Sequence, residues 1–299
     1  MNDLRQLRHF VALAEHGHFA RAAEAVNLSQ PALSRSIQAL EANLDCSLLD
    51  RQSRGFSLTA HGQLVLEHAR CLLAGSHALS NAVSQLGNLE TGELRIGAGP
   101  YPAARLVPRA VAQFSQRHPR VFVHLLIDNW NNLRQRLLDD VIELFVADIR
   151  ELQDDDKLQI VALQNSPGVI ICRPGHPLLS INNLQPSDLA RFPLAGAQMP
   201  REVAQSLRQL SGNEHSLSIE CDNFMVLKAL VMDSDVLSMA PLDVVSDEIG
   251  NGQLATVHMS QTPMKSSAYG LVSRAGHSLS PAASQLQELL LASTSPTSN

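Results

Sequence analysis

The sequence predicts an α/β protein in three parts: a helical head that ends in a hairpin, one long linker helix, and a two-lobed module. Three observations predict it. Apolar residues recur at spacings of three and four through residues 4–44. Residues 59–89 hold no proline and carry a heptad pattern over three repeats with one polar member, Ser76. From Gly92 onward, short apolar strand-like runs alternate with amphipathic stretches. A length of 299 residues exceeds what one compact core usually organises, so several domains are expected. With 44% hydrophobic and 17% charged residues the chain is ordinary for a globular protein and unlike a disordered one. There is no run of 18 apolar residues, and the start Met1-Asn2-Asp3-Leu4-Arg5 has no secretory pattern, so a cytoplasmic chain with no membrane contact is expected. The four cysteines form no CxxC pair, which fits reduced structural thiols.

In the head, Leu4, Leu7, Val11 and Ala14 mark a first amphipathic helix that Gly17 ends. Phe19–Val26 makes a short second helix whose alanine-rich face permits close packing. Ser29 is a helix N-cap with Pro31 behind it, where a missing N–H costs nothing. The third helix then buries Leu33, Ile37, Leu40 and Leu44. Its other face carries Gln30, Pro31, Ser34, Arg35 and Gln38, the residue types that read base edges in a major groove. On a lone helix such a stripe is more often a solvated face. The next segment shifts the balance: two short extended pieces surround a turn with Arg51 and Arg54. A helix-turn-helix followed by a basic-tipped hairpin is a winged helix. Bulk charge does not support DNA binding, since residues 1–62 hold six Arg against six Asp/Glu and the formal −6 falls on the remainder. The DNA reading rests on local geometry.

The strings Phe19-Ala20-Arg21-Ala22-Ala23, Ser29-Gln30-Pro31-Ala32-Leu33-Ser34-Arg35, Leu40-Glu41 and Leu58-Thr59-Ala60-His61-Gly62 resemble the LysR-type transcriptional regulators, in register across the head. The resemblance continues more loosely to the C-terminus. It implies a winged helix-turn-helix, a dimerising linker helix and a two-lobed, periplasmic-binding-protein-like effector domain. Family DNA contacts carry over by position to Gln30, Pro31, Ser34, Arg35 and Arg54; Gln38 and Arg51 are added from geometry. Asp45 stands where the family usually has a helix-ending glycine, and aspartate tolerates that left-handed conformation better than most residues.

In the linker, Val65, Ala69, Leu72, Ser76, Leu79, Val83 and Leu86 recur alternately at four and three. A helix of ~30 residues is about 45 Å long. An ordinary amphipathic helix is the bland reading; its length and place between two modules favour pairing with a second chain through Val65, Ala69, Leu72, Leu79, Val83 and Leu86. The expected domains are 1–59, 60–90 and 91–299, with lobe I at about 91–165 and 268–299 and lobe II at about 166–267.

In that last module, strands are expected at Leu94–Gly97, Val121–Ile127, Ile142–Asp148, Val169–Cys172, Leu217–Ile219, Val236–Met239 and Ala268–Ser273. Helices are expected at about Ala103–Arg117, Asn131–Leu138, Arg201–Leu210, Asn223–Asp233 and Pro281–Ala292. The alternation implies mainly parallel sheets with a hinged cleft beyond their strand ends. Gly99, Pro100, Tyr101, Asp128, Asn129, Trp130 and Asp148 are expected on one wall of it; Gly196, Arg201, Asn223 and Phe224 are candidates for the other. Relatives often hold a carboxylate with hydroxyls just after the first strand. Gly99-Pro100-Tyr101-Pro102 lacks those hydroxyls and two N–H groups, so Tyr101 and Trp130 point instead to an aromatic or apolar effector. For Trp130 core packing is an equal reading, and for Arg201 a surface salt bridge.

Enzyme signatures are weak. Gly97-Ala98-Gly99 begins a dinucleotide fingerprint, but its third glycine falls at Pro102. There is no GxSxG, HExxH or GxxxxGK[ST], and His61 and His68 lack ligand partners. Asp154-Asp155-Asp156 reads as a solvated turn. Cys46 and Cys172 have nothing evident to lower their pKa. No metal or cofactor is expected. Candidate partners are double-stranded promoter DNA, a small-molecule effector, further copies of the chain in a homodimer or homotetramer, and RNA polymerase. The alternative is a solute-binding or enzymatic protein of the same two-lobed fold.

Overall fold

The computed structural model describes residues 3–52, 55–87, 92–211, 216–259 and 266–294. The chain divides into two compact units, residues 1–83 with 139–141, and residues 84–138 with 142–299.

The first unit holds α1 (Leu4–His16), α2 (Phe19–Ala25), α3 (Gln30–Leu44), the hairpin β1 (Leu49–Gln52) and β2 (Gly55–Leu58), and most of α4 (Ala60–Gly87). Asp3 caps α1, and Gly17 ends it at φ 64°, the left-handed conformation that glycine adopts without penalty. Asp45 takes the same role after α3 at φ 53°, ψ 37°, as expected. The core gathers Leu7, Phe10 and Leu13 of α1, Ala22 and Ala23 of α2, and Leu33, Ile37 and Leu40 of α3. β1 and β2 pair antiparallel with Leu49 opposite Leu58.

The second unit contains β3 (Gly92–Ala98), α5 (Leu106–Arg117), β4 (Val121–Ile127), α6 (Trp130–Leu138), β5 (Leu144–Asp148), β6 (Leu158–Ala162), β7 (Gly168–Cys172), α7 (Pro186–Leu189), β8 (Leu194–Gly196), α8 (Arg201–Ser211), β9 (Ile219–Glu220), α9 (Phe224–Asp233), β10 (Leu237–Pro241), α10 (Leu242–Gly250), β11 (Ala255–Val257), β12 (Tyr269–Arg274) and α11 (Pro281–Thr294). Two five-stranded sheets result, ordered β4-β3-β5-β12-β6 and β11-β7-β10-β8-β9. The chain passes between them twice. Leu163 N–H donates to Tyr269 O, Ser267 N–H donates to Ser166 O, and Pro167 bridges Ser266, so the two connections form one ribbon.

Two expectations are corrected. The sheets are mixed, not mainly parallel: β12 runs antiparallel to β5 and β6, and β7 antiparallel to β10 and β11. Each lobe borrows strands at the crossings, and a strand that enters from the other lobe has no crossover helix to force it parallel. The expected helix from Ala103 is also split, into a 3-10 turn at Pro102–Ala104 and α5 from Leu106. In one continuous helix the Pro108 ring would strike the Ala104 carbonyl; the break at Arg105 puts that proline in a first turn, where it is harmless.

Candidate functional site

In the head, Ser29 accepts from Ala32 N–H, and α3 starts at Gln30. Gln30, Pro31, Arg35 and Gln38 are exposed and Ser34 is half-buried, on the side of α3 away from Leu33, Ile37 and Leu40. The wing is held to this helix by Glu41, whose carboxylate accepts from Leu48 N–H at 2.8 Å and Leu49 N–H at 3.2 Å. Thr59 locks the other end: its N–H donates to Leu48 O, its hydroxyl donates to Ser47 O and accepts from Gly62 N–H. A Cβ on Gly62 would collide with the Leu48 carbonyl, so glycine is required there. Arg51 lies in β1, opposite Phe56. Arg54 lies outside the described residues.

Along α4 the expected seam divides. Ala69 is buried and Val65 half-buried in the head's own core, where Leu66 and Leu73 join them. Leu72 and Leu79 are 53% and 67% exposed. Val83 and Leu86 lie in the same helix. The heptad spacing is met, but its first two members already have partners within the chain.

Between the two lobes lies a cavity of about 60 Å³. Of the expected wall, Gly99, Pro100, Tyr101, Asn129, Trp130 and Asp148 line it; Asp128, Gly196, Arg201, Asn223 and Phe224 do not. Asp128 instead serves the start of α6, accepting from Asn132 Nδ2, and lies 3.6 Å from Arg136. Gly196 is buried against Leu217. Asn223 caps α9 through Met225 and Val226 N–H. Phe224 is packed in lobe II against Tyr101, ring centroids 5.5 Å apart. Arg201 directs a 95% exposed side chain to Glu151, Nε to Oε2 3.8 Å, the salt-bridge reading.

Sequence reasoning missed Arg150, Ala197, Gln198, Met199, Pro200, Val203, Met239, Ser267 and Tyr269 on the cavity wall. Arg150 sits in the turn just after β5, and the others come from segments that meet only in the fold.

Tyr101 is buried and spans the cleft. Its hydroxyl donates to Met239 O at 2.8 Å and accepts from Ala197 N–H, and burial pushes the phenol up to about 12. It is therefore a tie between lobes, not the free aromatic surface expected. Asn129 Nδ2 donates to Asp222 Oδ2 at 3.1 Å, and Arg201 N–H to Glu151 Oε1 at 2.8 Å, adding two more interlobe bonds. Trp130 lines the cavity and packs on the core beside Leu133 and Phe145. Arg150 is oriented by the Ser266 carbonyl, which accepts from Nη2; its Nη1 stands 3.1 Å from Asp148 Oδ2. Burial raises the Asp148 carboxyl, with the Arg150 charge opposing.

Other chemistry is sparse. None of the four cysteines is in a disulfide, and burial pushes the Cys172 thiol up to about 11, which keeps it protonated and unreactive at neutral pH. His176, in the Arg173-Pro174-Gly175-His176-Pro177 turn, is buried: Nδ1 accepts from Leu178 N–H, while Nε2 lies 3.2 Å from Asp235 O. Among the described residues no group of three His, Cys, Asp or Glu could hold a metal, and no helix is long and apolar enough to cross a membrane.

Comparison with known proteins agrees with this geometry. Residues 4–63 match the bacterial regulatory helix-turn-helix of the lysR family, and residues 87–295 match the LysR substrate binding domain. An SDS degradation transcriptional activation protein of Pseudomonas sp. is 66% identical over 294 residues, covering 97% of this chain and 96% of the relative. The RuBisCO operon transcriptional regulator of Allochromatium vinosum is 27% identical over 292 residues, 97% of this chain and 95% of its own. Among solved structures, CbnR, a LysR family transcriptional regulator, superposes with a TM-score of 0.71 at 23% identity, covering 98% of this chain and 99% of that one, a likeness of fold. Two domain matches that together span nearly the whole chain settle its class: it belongs to the LysR family, as an effector-modulated DNA-binding transcriptional regulator and not an enzyme.

Proposed function

We propose that residues 1–59 read promoter DNA, residues 60–90 pair two chains, and residues 91–299 sense a small molecule in the interlobe cavity. The observation that carries the reading is the exposed stripe Gln30, Pro31, Arg35 and Gln38, set on a helix whose opposite face is fully packed. Base edges are then read chiefly by Arg35 and Gln38, with Arg51 and Arg54 of the wing on a neighbouring groove or phosphates. Outward-facing Leu72 and Leu79 supply the pairing surface, and two heads double the contacts that weak local charge limits. A homodimer is the minimal assembly; a homotetramer forms from two such pairs.

Regulation follows from the interlobe ties. A cavity of about 60 Å³ holds only a few water-sized positions. Sites that enclose a larger ligand run from about 300 Å³ upward. Admitting one therefore parts Asn129 from Asp222 and Arg201 from Glu151, which changes the faces through which assembled chains meet. An effector shifts DNA binding only through such a differential between arrangements.

By likeness to the Pseudomonas protein, the chain activates genes for SDS degradation, working in the cytoplasm with RNA polymerase as its downstream partner. Footprinting of the full-length chain on the promoters of its own organism's alkyl sulfate degradation genes tests this. A protected operator, and loss of induction by dodecyl sulfate when the gene is deleted, are expected. Unprotected promoters or undiminished induction in the deletion strain would reject it.

A further inference from the structure

Among the described residues, four buried side-chain polar atoms make no hydrogen bond: Trp130 Nε1, Arg150 Nη1, Ser238 Oγ and Tyr269 Oη. Three of the four belong to residues that line the interlobe cavity. Tyr269 is 6% exposed, so its hydroxyl is shielded from bulk water. Arg150 Nη1 is within ion-pairing distance of Asp148 Oδ2 but not at a hydrogen-bonding angle. Indole and guanidinium groups only donate, and a phenol donates readily. Buried polar groups are normally paired, so three unmatched donors on one small cavity define the ligand by what it must accept.

We propose that the cavity selects its effector by a monoanionic sulfo headgroup, a sulfate ester or sulfonate, accepting from Trp130 Nε1–H, Arg150 Nη1–H and Tyr269 Oη–H. The inference rests on the reading of this cavity as the effector site. Three donors match the three terminal oxygens of R–SO₃⁻, whereas a carboxylate presents two. A phosphate monoester would bring a second charge against Asp148. Pro100, Ala147, Met199, Val203 and Met239 give the wall an apolar stretch beside Asn129, Gln198 and Ser267, and it is this stretch that takes an apolar substituent. The intact sulfo compound, and not the alcohol left when its sulfate is removed, is then the signal.

Asp148 competes with the ligand for Arg150, and burial already raises its carboxyl toward protonation, with the neighbouring Glu151 charge adding. Removing its charge should therefore favour an anionic ligand.

The test titrates the full-length chain with six-carbon probes, hexyl sulfate, hexanesulfonate, hexanoate, hexan-1-ol and hexylammonium, by calorimetry and Trp130 emission. Hexyl sulfate and hexanesulfonate should bind about tenfold or more tighter than hexanoate and hexan-1-ol, with hexylammonium not binding. Arg150→Gln should weaken hexyl sulfate by about tenfold or more and leave hexan-1-ol unchanged. Tyr269→Phe removes only a hydroxyl without a partner, so it keeps the fold while weakening hexyl sulfate. Asp148→Asn should tighten it. If hexan-1-ol binds as well as hexyl sulfate, or if Arg150→Gln and Tyr269→Phe both leave hexyl sulfate unaltered, the headgroup proposal fails while the cavity reading stands. If hexyl sulfate still changes DNA affinity in Val203→Trp, which fills the cavity, the cavity reading itself fails. Absence of binding by every probe at millimolar concentration also overturns the proposal.

Discussion

The Tyr101 hydroxyl, carried just after the first strand of lobe I, donates at 2.8 Å to the Met239 carbonyl in the last long strand of lobe II. Its ring packs on Phe224, so one side chain joins the cores of both lobes. Tyr101→Phe keeps the ring and deletes both bonds of its hydroxyl, to the Met239 carbonyl and from the Ala197 N–H. With buried backbone groups left unpaired, a loss of about 1–3 kcal/mol is expected. In a unit of this size each kcal/mol lowers the melting temperature by roughly 2–4 °C. DNA affinity without effector should stay unchanged; a calorimetric scan and a gel-shift titration check the two halves.

The chain has two tyrosines, and burial raises both phenols: Tyr101 to about 12, Tyr269 well above the ordinary 10.0 with Asp243 adding. Unfolded phenols ionise first, so the unfolded state binds fewer protons than the folded one above pH 10. Stability is therefore expected to fall as pH rises from about 10 toward 12. Absorbance at the phenolate band should show almost no ionisation in the folded chain near pH 10.5 and roughly three-quarters in denaturant.

Arg35 is exposed at the reading face and offers the two donors that a guanine edge accepts. Arg35→Ala should cost roughly 1–3 kcal/mol of discrimination between operator and random DNA, with fold and assembly intact. Competition binding against random duplex measures it. Equal losses on both duplexes would make Arg35 a phosphate contact only.

Leu72 and Leu79 lie seven residues apart on α4 and are exposed in the single chain. If they pair two chains, each is buried there, where truncating a leucine costs about 2–5 kcal/mol. Leu72→Asp with Leu79→Asp should give monomers by light scattering and weak operator binding. Persistent dimers would move the pairing surface elsewhere.

The sequence by itself determined the head, the linker helix and the nature of the long strands. There the information is local: Leu33, Ile37 and Leu40 declare a buried helix face by spacing alone, Ser29 declares its start, and Asp45 its end. It also determined the stripe opposite, because a helix fixes both faces at once. What only the tertiary structure decided is who meets whom. Val65 and Ala69 fit the heptad as well as Leu72, and only the packed head shows that they are already covered. Arg150 and Tyr269 lie more than a hundred residues apart, in a turn and a strand that look unexceptional in sequence. The twice-crossed ribbon brings both to one cavity, and there the loss of water leaves their donors unmatched. Trp130 could be placed at the cleft from sequence. Burial and pairing across distant segments carry no periodicity, so neither the tie at Tyr101 nor the unmatched state of the cleft donors could be read before the lobes were folded together.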